Sequence, residues 1–390
     1  MRIRKTYLLL IFLFVFLFHV NASQVNIRIL TTQIVNTFIF SPLVGTFSLY
    51  GDNKIINCDS TGVYQLSLDG DSITLKTVEK IIGKYSTIKI FGNEASAAFK
   101  LKCVLPQTKV HTYDDNLEVS VLSDKKQLLL INDVDTEKYI AAVVECESGK
   151  NVNIEYYKLQ AILCRTYLLA HLNRHIQEGY EICDDVHCQA YLNRATEKNA
   201  TLAVADTKGL VVVDNDLNLI TAAFHSNCGG QTCNSQDVWA VSTSYLKSVK
   251  DTFCLNELNA KWQRTISLNE WNNYLQLKHK SIFNDTLKLI GATPFEQANG
   301  RPIYFIDKNL KIPLKNIRAD FKLKSAYFSI VQVGDSIQFN GRGYGHGVGL
   351  CQQGAIRMSN LKYPYKDIIE LYYKDVHVVN VSSLNYFKQE

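Results

Sequence analysis

From Val25 to about Leu130 the chain alternates apolar and polar residues in short runs, VNIRIL, VYQLSL, TIKIF and LEVSVL among them. A period of two sends one face of each run into a core and the other toward water, as in half-buried antiparallel strands. GDN, DGD and FGNE separate the runs as turn signals. At Asp135 the period lengthens. TEKYIAAVVECES behind an N-capping aspartate predicts a first helix over 136–148, and Tyr156, Leu159, Leu163, Tyr167 and Ala170 predict a second over 154–173. Residues 176–250 mix loops with strands such as GLVVVD and LITAAFH, and LNEWNNYLQLKH predicts a helix near 268–279. Strands return between Ile303 and Phe339, and YKDIIELYYKDV predicts a last helix. The fold class expected is α+β, mixed and largely antiparallel β structure with a few helices.

The N-terminus breaks this pattern. Arg2, Arg4 and Lys5 precede an unbroken apolar run from Tyr7 to Phe18, and Val20-Asn21-Ala22 supplies small residues for cleavage. That is the layout of a signal peptide over residues 1–22. The run is short against the ~20 residues a bilayer crossing needs, so an uncleaved N-terminal anchor is the alternative and the only route to membrane contact. Residues 23–119 then form a β-rich N-terminal region, and 120–380 the part that carries the candidate chemistry. The composition of the full 390-residue chain, 46% hydrophobic and 20% charged, is that of a globular protein. Removing residues 1–22 takes away three positive charges and no acidic ones, lowering the net charge from +5 to +2. So weak a surplus gives no electrostatic case for nucleic acid. An exported chain also changes how its ten cysteines read, because oxidising compartments permit disulfides.

Five segments hold residues with chemical potential. In the first helix Ile140, Val144 and Glu147 share a face, whereas Glu145 sits above Lys138 and Ala141. A carboxyl group ending an apolar stripe is desolvated, which raises its pKa and suits it to donate a proton; periodicity therefore prefers Glu147. CDDVHCQAY holds Cys183, His187 and Cys188, which fit either zinc, with a fourth position for water, another residue or substrate, or a Cys183–Cys188 disulfide. FHSNCGGQTC carries His225, Ser226, the Gly229-Gly230 pair, Cys228 and Cys233; with Cys254 these cysteines read as one disulfide plus a spare thiol. Arg165 lies off the apolar stripe of its helix, where it could clamp a carboxylate or pair with a structural acid. Finally, GRGYGHGVGLCQQGA sets Tyr344, His346 and Gln352 in a glycine run that weakens both helix and strand. A zinc hydrolase built on His187 and His225 lacks the helical two-histidine spacing of common zinc proteases.

The order of these blocks resembles the SpoIID/LytB family. EKYIAAVVECE is similar to its helix ending in glutamate, LQAILCRTYLLA to the helix that follows, and GRGYGHGVGLCQQGA to its glycine-histidine signature; CDDVHCQAY, FHSNCGG through DVW, and YLKSV fall between them in family order. GRPIYFI, FKLKSAYFSI and YKDIIELYYKDV extend the likeness, which spans about residues 120–376. The family includes lytic transglycosylases that cut peptidoglycan glycan strands and enhancers of cell-wall amidases. The resemblance implies Glu147 as general acid and base, first protonating the leaving glycosidic oxygen and then deprotonating the sugar's own 6-hydroxyl to close a 1,6-anhydro ring. It further implies substrate contact by Arg165, His225, Ser226, Gly229, Gly230, Tyr344, His346 and Gln352, zinc at Cys183, His187 and Cys188, and glycan strands or a cell-wall amidase as partners. Glycines of the 341–355 run are expected to admit a sugar strand or the helix of Glu147, with His346 hydrogen-bonding substrate or orienting the acid. The chain departs from the family in Glu145-Cys146, where Pro-Ser is usual, and in cysteines at 228 and 351, where serine is common.

Overall fold

A computed structural model describes residues 24–122, 126–239, 241–280, 294–297, 300–305 and 312–387. The signal segment expected over 1–22 lies outside them. No helix of the described residues is long and apolar enough to cross a membrane.

The alternating runs of the first half build two sheets. A seven-stranded sheet has the spatial order Ile182–Cys183, Gln24–Arg28, Leu128–Asp135, Asn116–Val121, Thr87–Gly92, Phe47–Gly51 and Lys54–Ile55. A six-stranded sheet runs His111–Asp114, Ala98–Leu105, Thr37–Val44, Tyr64–Asp69, Ser72–Lys76 and Ile81–Tyr85. Except for the contact of Ile182–Cys183 with Gln24–Arg28, every pairing in both sheets is antiparallel. Phe38, Phe40, Phe47 and Phe99 meet in the core, with ring centroids 5.2–6.2 Å apart for the pairs Phe40–Phe47, Phe40–Phe99 and Phe47–Phe99. The division expected at 119/120 falls inside the strand Asn116–Val121, and the larger sheet takes strands from both sides of it.

Helix α1, Thr136–Ser148, starts where the pattern predicts. The Asp135 carboxylate accepts from the N–H groups of Glu137 (2.9 Å) and Lys138 (3.0 Å), satisfying two donors that have no partner inside the helix. Gly149, at φ 75°, ends it. Tyr139, Ile140, Ala142, Val143 and Val144 are essentially fully buried, and each of the two valines contributes ~1.5–3 kcal/mol by leaving water. Burial this far around the helix makes α1 a central element that reaches the surface through Glu137 and Lys138 in its first turn and through its last turn.

Helix α2, Ile154–His171, packs beside it and carries Arg165, which is 2% exposed. Arg165 donates to Glu137 through Nε (3.0 Å) and Nη2 (2.6 Å) and to the Leu210 carbonyl (3.1 Å). Of the two roles open to it, the structure assigns the structural one: the guanidinium ties α1 to α2 and does not face the cleft described below. Arg165→Ala is expected to destabilise the fold by about 3 kcal/mol, because it strands one half of a largely buried pair. Urea denaturation of the variant measures this, and a loss within error of zero would refute it.

Helix α3, Lys198–Asp206, follows α2 and was not predicted. The second half contains a smaller unit in which Lys261–Ser267, Ser336–Arg342 and Phe328–Val333 form an antiparallel sheet around Trp271 of α5 (Leu268–Lys278), after the short α4 (Ser235–Trp239). Helix α6, Leu314–Asp320, belongs to the same core. Part of the strand region expected from Ile303 lies outside the described residues. Helix α7, Gln352–Asn360, opens directly from the glycine signature, and α8, Tyr365–Tyr372, stops earlier than its apolar pattern suggests. The chain then turns at Asp375 (φ 52°) and forms a strand, His377–Asn380, paired with Leu210–Val213.

Candidate functional site

Glu147 lies on the last turn of α1, half-buried at the edge of a cleft of about 420 Å³ lined also by Tyr167, Arg174, Cys188, Phe224 and Trp239. Burial pushes its carboxyl pKa up, although a backbone N–H from Ala190 and the Gln352 amide stabilise the ionised form and limit the rise. The Gln352 amide also lies 3.4 Å from the Glu147 carbonyl. Glu145, two residues earlier, behaves in the opposite way. Burial raises its pKa, but N–H groups of Thr196 (2.5 Å) and Glu197 (2.8 Å), the Thr196 hydroxyl and Lys150 outweigh that and hold it below the usual value. One carboxyl is thus an anion fastened to the start of α3, and the other a partly desolvated acid in a cleft. That separation agrees with the helical-face reading.

The loop that supplies the Ala190 N–H leaves directly from a cysteine-histidine cluster. Ligand-capable atoms of His175, Cys183, His187 and Cys188 all lie within 4.8 Å of one another. Cys183 Sγ is 3.8 Å and Cys188 Sγ 3.7 Å from His187 Nδ1, and Cys188 Sγ is 3.6 Å from His175 Nε2. A tetrahedral zinc with ordinary Zn–S and Zn–N bonds separates S and N ligands by ~3.6 Å, so the cluster has the size of a four-coordinate metal site. His175 Nδ1 is 2.6 Å from Glu178 Oε1, which orients Nε2 toward the sulfurs, the usual outer support of a ligating imidazole. Both cysteines are free thiols here rather than a disulfide. Local spacing could not identify His175 as the fourth member, because it reaches the cluster from the turn after α2, before the CDDVHC loop begins. The only sequence signal was an imidazole eight residues before Cys183.

The remaining candidates form a wall. Phe224–His225 pairs with Leu350–Cys351 as two short parallel strands, and Asn227 bridges Tyr344. This brings FHSNCGG against the glycine signature. Gly343, Gly345, Gly347 and Gly349 all have positive φ. A Cβ on Gly349 would come within 2.2 Å of the Ala223 carbonyl, and one on Gly345 within 2.8 Å of His225 Cβ. The close approach that requires these two glycines is therefore to the chain's own 223–225 segment, not to a sugar or to α1. His346 differs from expectation as well. Its Nε2–H donates to the Phe224 carbonyl (2.9 Å) and its Nδ1 accepts from the Val348 N–H (3.0 Å), so neither nitrogen is free for substrate. Burial, reinforced by the charges of Arg318 and Arg301, pushes its pKa down to about 4, and the ring is neutral at ordinary pH. Its ring lies 5.2 Å from Trp239, a cleft residue, so His346 shapes the wall behind the cleft.

His225 is buried and bonds the Val348 carbonyl through Nδ1 (3.1 Å), with Nε2 unpartnered. The Ser226 hydroxyl accepts from Asn259 (3.1 Å). Gly229 packs on Arg342 and Gly343, and Gly230 on Leu255. Tyr344 is 45% exposed but lies in a different hollow, with Lys315, Arg318, Lys322 and Lys324. Cys233 lines a small recess with Arg301 and His346, and it, Cys228 and Cys254 are all free thiols, so the disulfide expected among these three is absent. The structure therefore brings Glu147, Gln352 and the metal-type cluster to one cleft, sets His225 and His346 behind it, and leaves Arg165 and Tyr344 elsewhere. Sequence reasoning missed His175, Trp239 and the Ala190 N–H.

Comparison with known proteins finds relatives for the part of the chain that carries this cleft. Residues 124–213, which include α1, α2, the metal-type cluster and α3, match the SpoIID family, described as Stage II sporulation protein. An uncharacterized protein of Brachyspira hyodysenteriae is 26% identical over 262 residues, covering 66% of this chain and 70% of its own. Stage II sporulation protein D of Bacillus subtilis is 29% identical over 264 residues, 64% of this chain and 75% of its own. The Amidase enhancer of Bacillus subtilis is 25% identical over 286 residues; the match takes in 60% of this chain and only 39% of that protein. The helix that ends in Glu147, the cleft it borders and these matches together make the chain similar to the SpoIID/LytB family, with the family model itself matched over residues 124–213.

Proposed function

We propose that this protein acts on the cell wall, as a lytic transglycosylase that cleaves peptidoglycan glycan strands and leaves 1,6-anhydro ends. The observation that carries the reading is a single carboxyl group with a raised pKa facing a cleft, with no second carboxylate among the described residues lining it. Two-carboxylate hydrolysis needs a partner acid ~5–9.5 Å away. Transfer to the sugar's own 6-hydroxyl needs one group that acts first as acid, then as base. Glu147 would protonate the glycosidic oxygen as the bond breaks and then accept the 6-hydroxyl proton as that oxygen closes on C1. Gln352 and the Ala190 N–H would orient the carboxyl throughout, and Trp239 and Tyr167 offer apolar faces for sugar rings.

The cluster of His175, Cys183, His187 and Cys188 would hold zinc. With four protein ligands it is a closed structural site, and its contribution is to fix the loop carrying Ala190 beside the acid. The site of action is extracytoplasmic, facing the wall, which fits the signal segment expected over 1–22.

A second reading, a non-catalytic enhancer of a cell-wall amidase, draws on the match to the Amidase enhancer. To separate the two, the purified protein is incubated with glycan strands lacking stem peptides and the products are analysed by mass spectrometry. New anhydro-muramic ends are expected; their absence, with stimulation of an added amidase, would favour the enhancer.

A further inference from the structure

A second cluster lies in the wall behind the cleft. Sγ of Cys228, Cys254 and Cys351 and a carboxylate oxygen of Asp251 all lie within 4.8 Å of one another, and all four residues are essentially inaccessible. They come from three separate segments: the turn after Phe224–His225, the loop 250–254, and the residue that opens α7. We propose that Cys228, Cys254, Cys351 and Asp251 form a second metal-binding site, selective for zinc or another soft divalent ion, that clamps these segments together.

Several observations converge on this. The Cys228–Cys254 sulfur separation is 3.4 Å and Cys228 Sγ lies 3.3 Å from Asp251 Oδ2. A tetrahedral zinc holds thiolate sulfurs ~3.8 Å apart, so small side-chain adjustments suffice to seat one. The surroundings are those of bound thiolates. The Cys228 N–H (3.3 Å) and the Gly354 N–H in the first turn of α7 (3.4 Å) both donate to Cys351 Sγ, and the backbone N–H of Gly230 points at Cys254. Neutral thiols are weak acceptors, and they gain little from so many donors; a metal-bound thiolate gains much more.

Asp251 has the same logic. Its carboxylate accepts from the Tyr372 hydroxyl (2.9 Å) and the Phe253 N–H (2.9 Å), yet no Lys, Arg or His forms an ion pair with it among the described residues. A buried carboxylate without a counter-charge is unfavourable, and a divalent cation supplies that charge. Space has been left for it too. A Cβ at Gly354 would come within 2.3 Å of both Asp251 Oδ2 and Tyr372 Oη, so only glycine there lets the carboxylate reach the sulfurs.

Binding releases the three thiol protons to solvent while Asp251 coordinates as the carboxylate. The resulting site carries two net negative charges, offset by the three N–H donors and the N-terminus of the nine-residue α7. Softness decides the metal: three thiolates favour zinc over magnesium or calcium.

The test is the zinc content of the full-length chain, refolded or purified with reductant and measured by elemental analysis and native mass spectrometry. Cys228→Ser/Cys351→Ser, a nearly isosteric change, is expected to lose one equivalent of zinc relative to the unmodified chain. His187→Ala would remove a different equivalent if the first cluster also binds, and this keeps the two sites distinguishable. Equal zinc in the double-serine variant and the unmodified chain would overturn the proposal, as would a Cys228–Cys254 disulfide seen as a mass lower by two hydrogens. Should the serine variant fail to fold, cobalt is loaded into a variant lacking the first cluster's ligands. A thiolate-to-cobalt absorption band there supports the second site, and its absence rejects it.

Discussion

Glu147→Gln is expected to lower the formation of 1,6-anhydro ends by ~10²–10⁴-fold, the range for removing a positioned general acid and base. The amide keeps the shape of the side chain and can still face Ala190 and Gln352, so the loss should fall on turnover and leave glycan binding nearly unchanged. The pH behaviour follows from the raised pKa. The first step needs the protonated acid, and activity should decline as pH rises through that raised value. Stability moves with it. Because the folded protein holds this proton more tightly than the unfolded chain does, the stabilisation is complete below the unfolded pKa of ~4.3 and is lost as pH rises through the folded one. Glutamine cannot ionise, so the variant should match or exceed the unmodified protein in stability at neutral pH, with the difference shrinking in acid. Denaturation curves at acidic and neutral pH read this directly. Equal anhydro products from both proteins would remove Glu147 from the chemistry.

Removing metal from the zinc site proposed at His175, Cys183, His187 and Cys188 is expected to produce the largest change in stability. Structural zinc in small peptides contributes ~10–16 kcal/mol, because the unfolded chain has no formed site. Here the neighbouring strand Ile182–Cys183 is also held by Gln24–Arg28 and by the apolar core, so much of the loop's order survives without metal. Zinc at a thousandfold over its dissociation constant would still add about 4 kcal/mol. Calorimetry with and without a strong chelator, on the unmodified chain and on His175→Ala, checks the estimate. His175→Ala should bind zinc more weakly, and Glu178→Gln should weaken it ~10–100-fold by freeing the imidazole from its orienting carboxylate. Activity is expected to fall together with zinc, since the Ala190 N–H reaches Glu147 from the same loop. A chelator without effect on melting, or a Cys183–Cys188 disulfide, would exclude the metal.

Helices with a strong start signal and a long apolar period were legible in the chain. Asp135 caps α1 as expected, and α1 and α2 follow within two residues of their predicted bounds. The short α3, α6 and α7 were not, because nine residues or fewer hold too little period to tell a helix from a loop. LITAAFH illustrates the opposite error: only Phe224–His225 pairs as strand, with the two-residue Leu350–Cys351, while Leu219 makes no more than an isolated bridge to Val213. Where a strand has no long neighbour, its alternation cannot be completed by hydrogen bonds.

The sequence by itself determined which carboxyl group would be desolvated, since a helix repeats every 3.6 residues and puts Glu147 above Val144 and Ile140. It also determined the CDDVHC trio and the order of blocks that marks the family. Only tertiary structure decided the rest. His175 joins the trio through a turn, His346 gives both nitrogens to the backbone, and Cys228 meets Cys351 across 123 positions. Arg165 was open to two roles until Glu137 appeared beside it. Each of these depends on which distant segment the core brings near, and local periodicity carries no record of that distance.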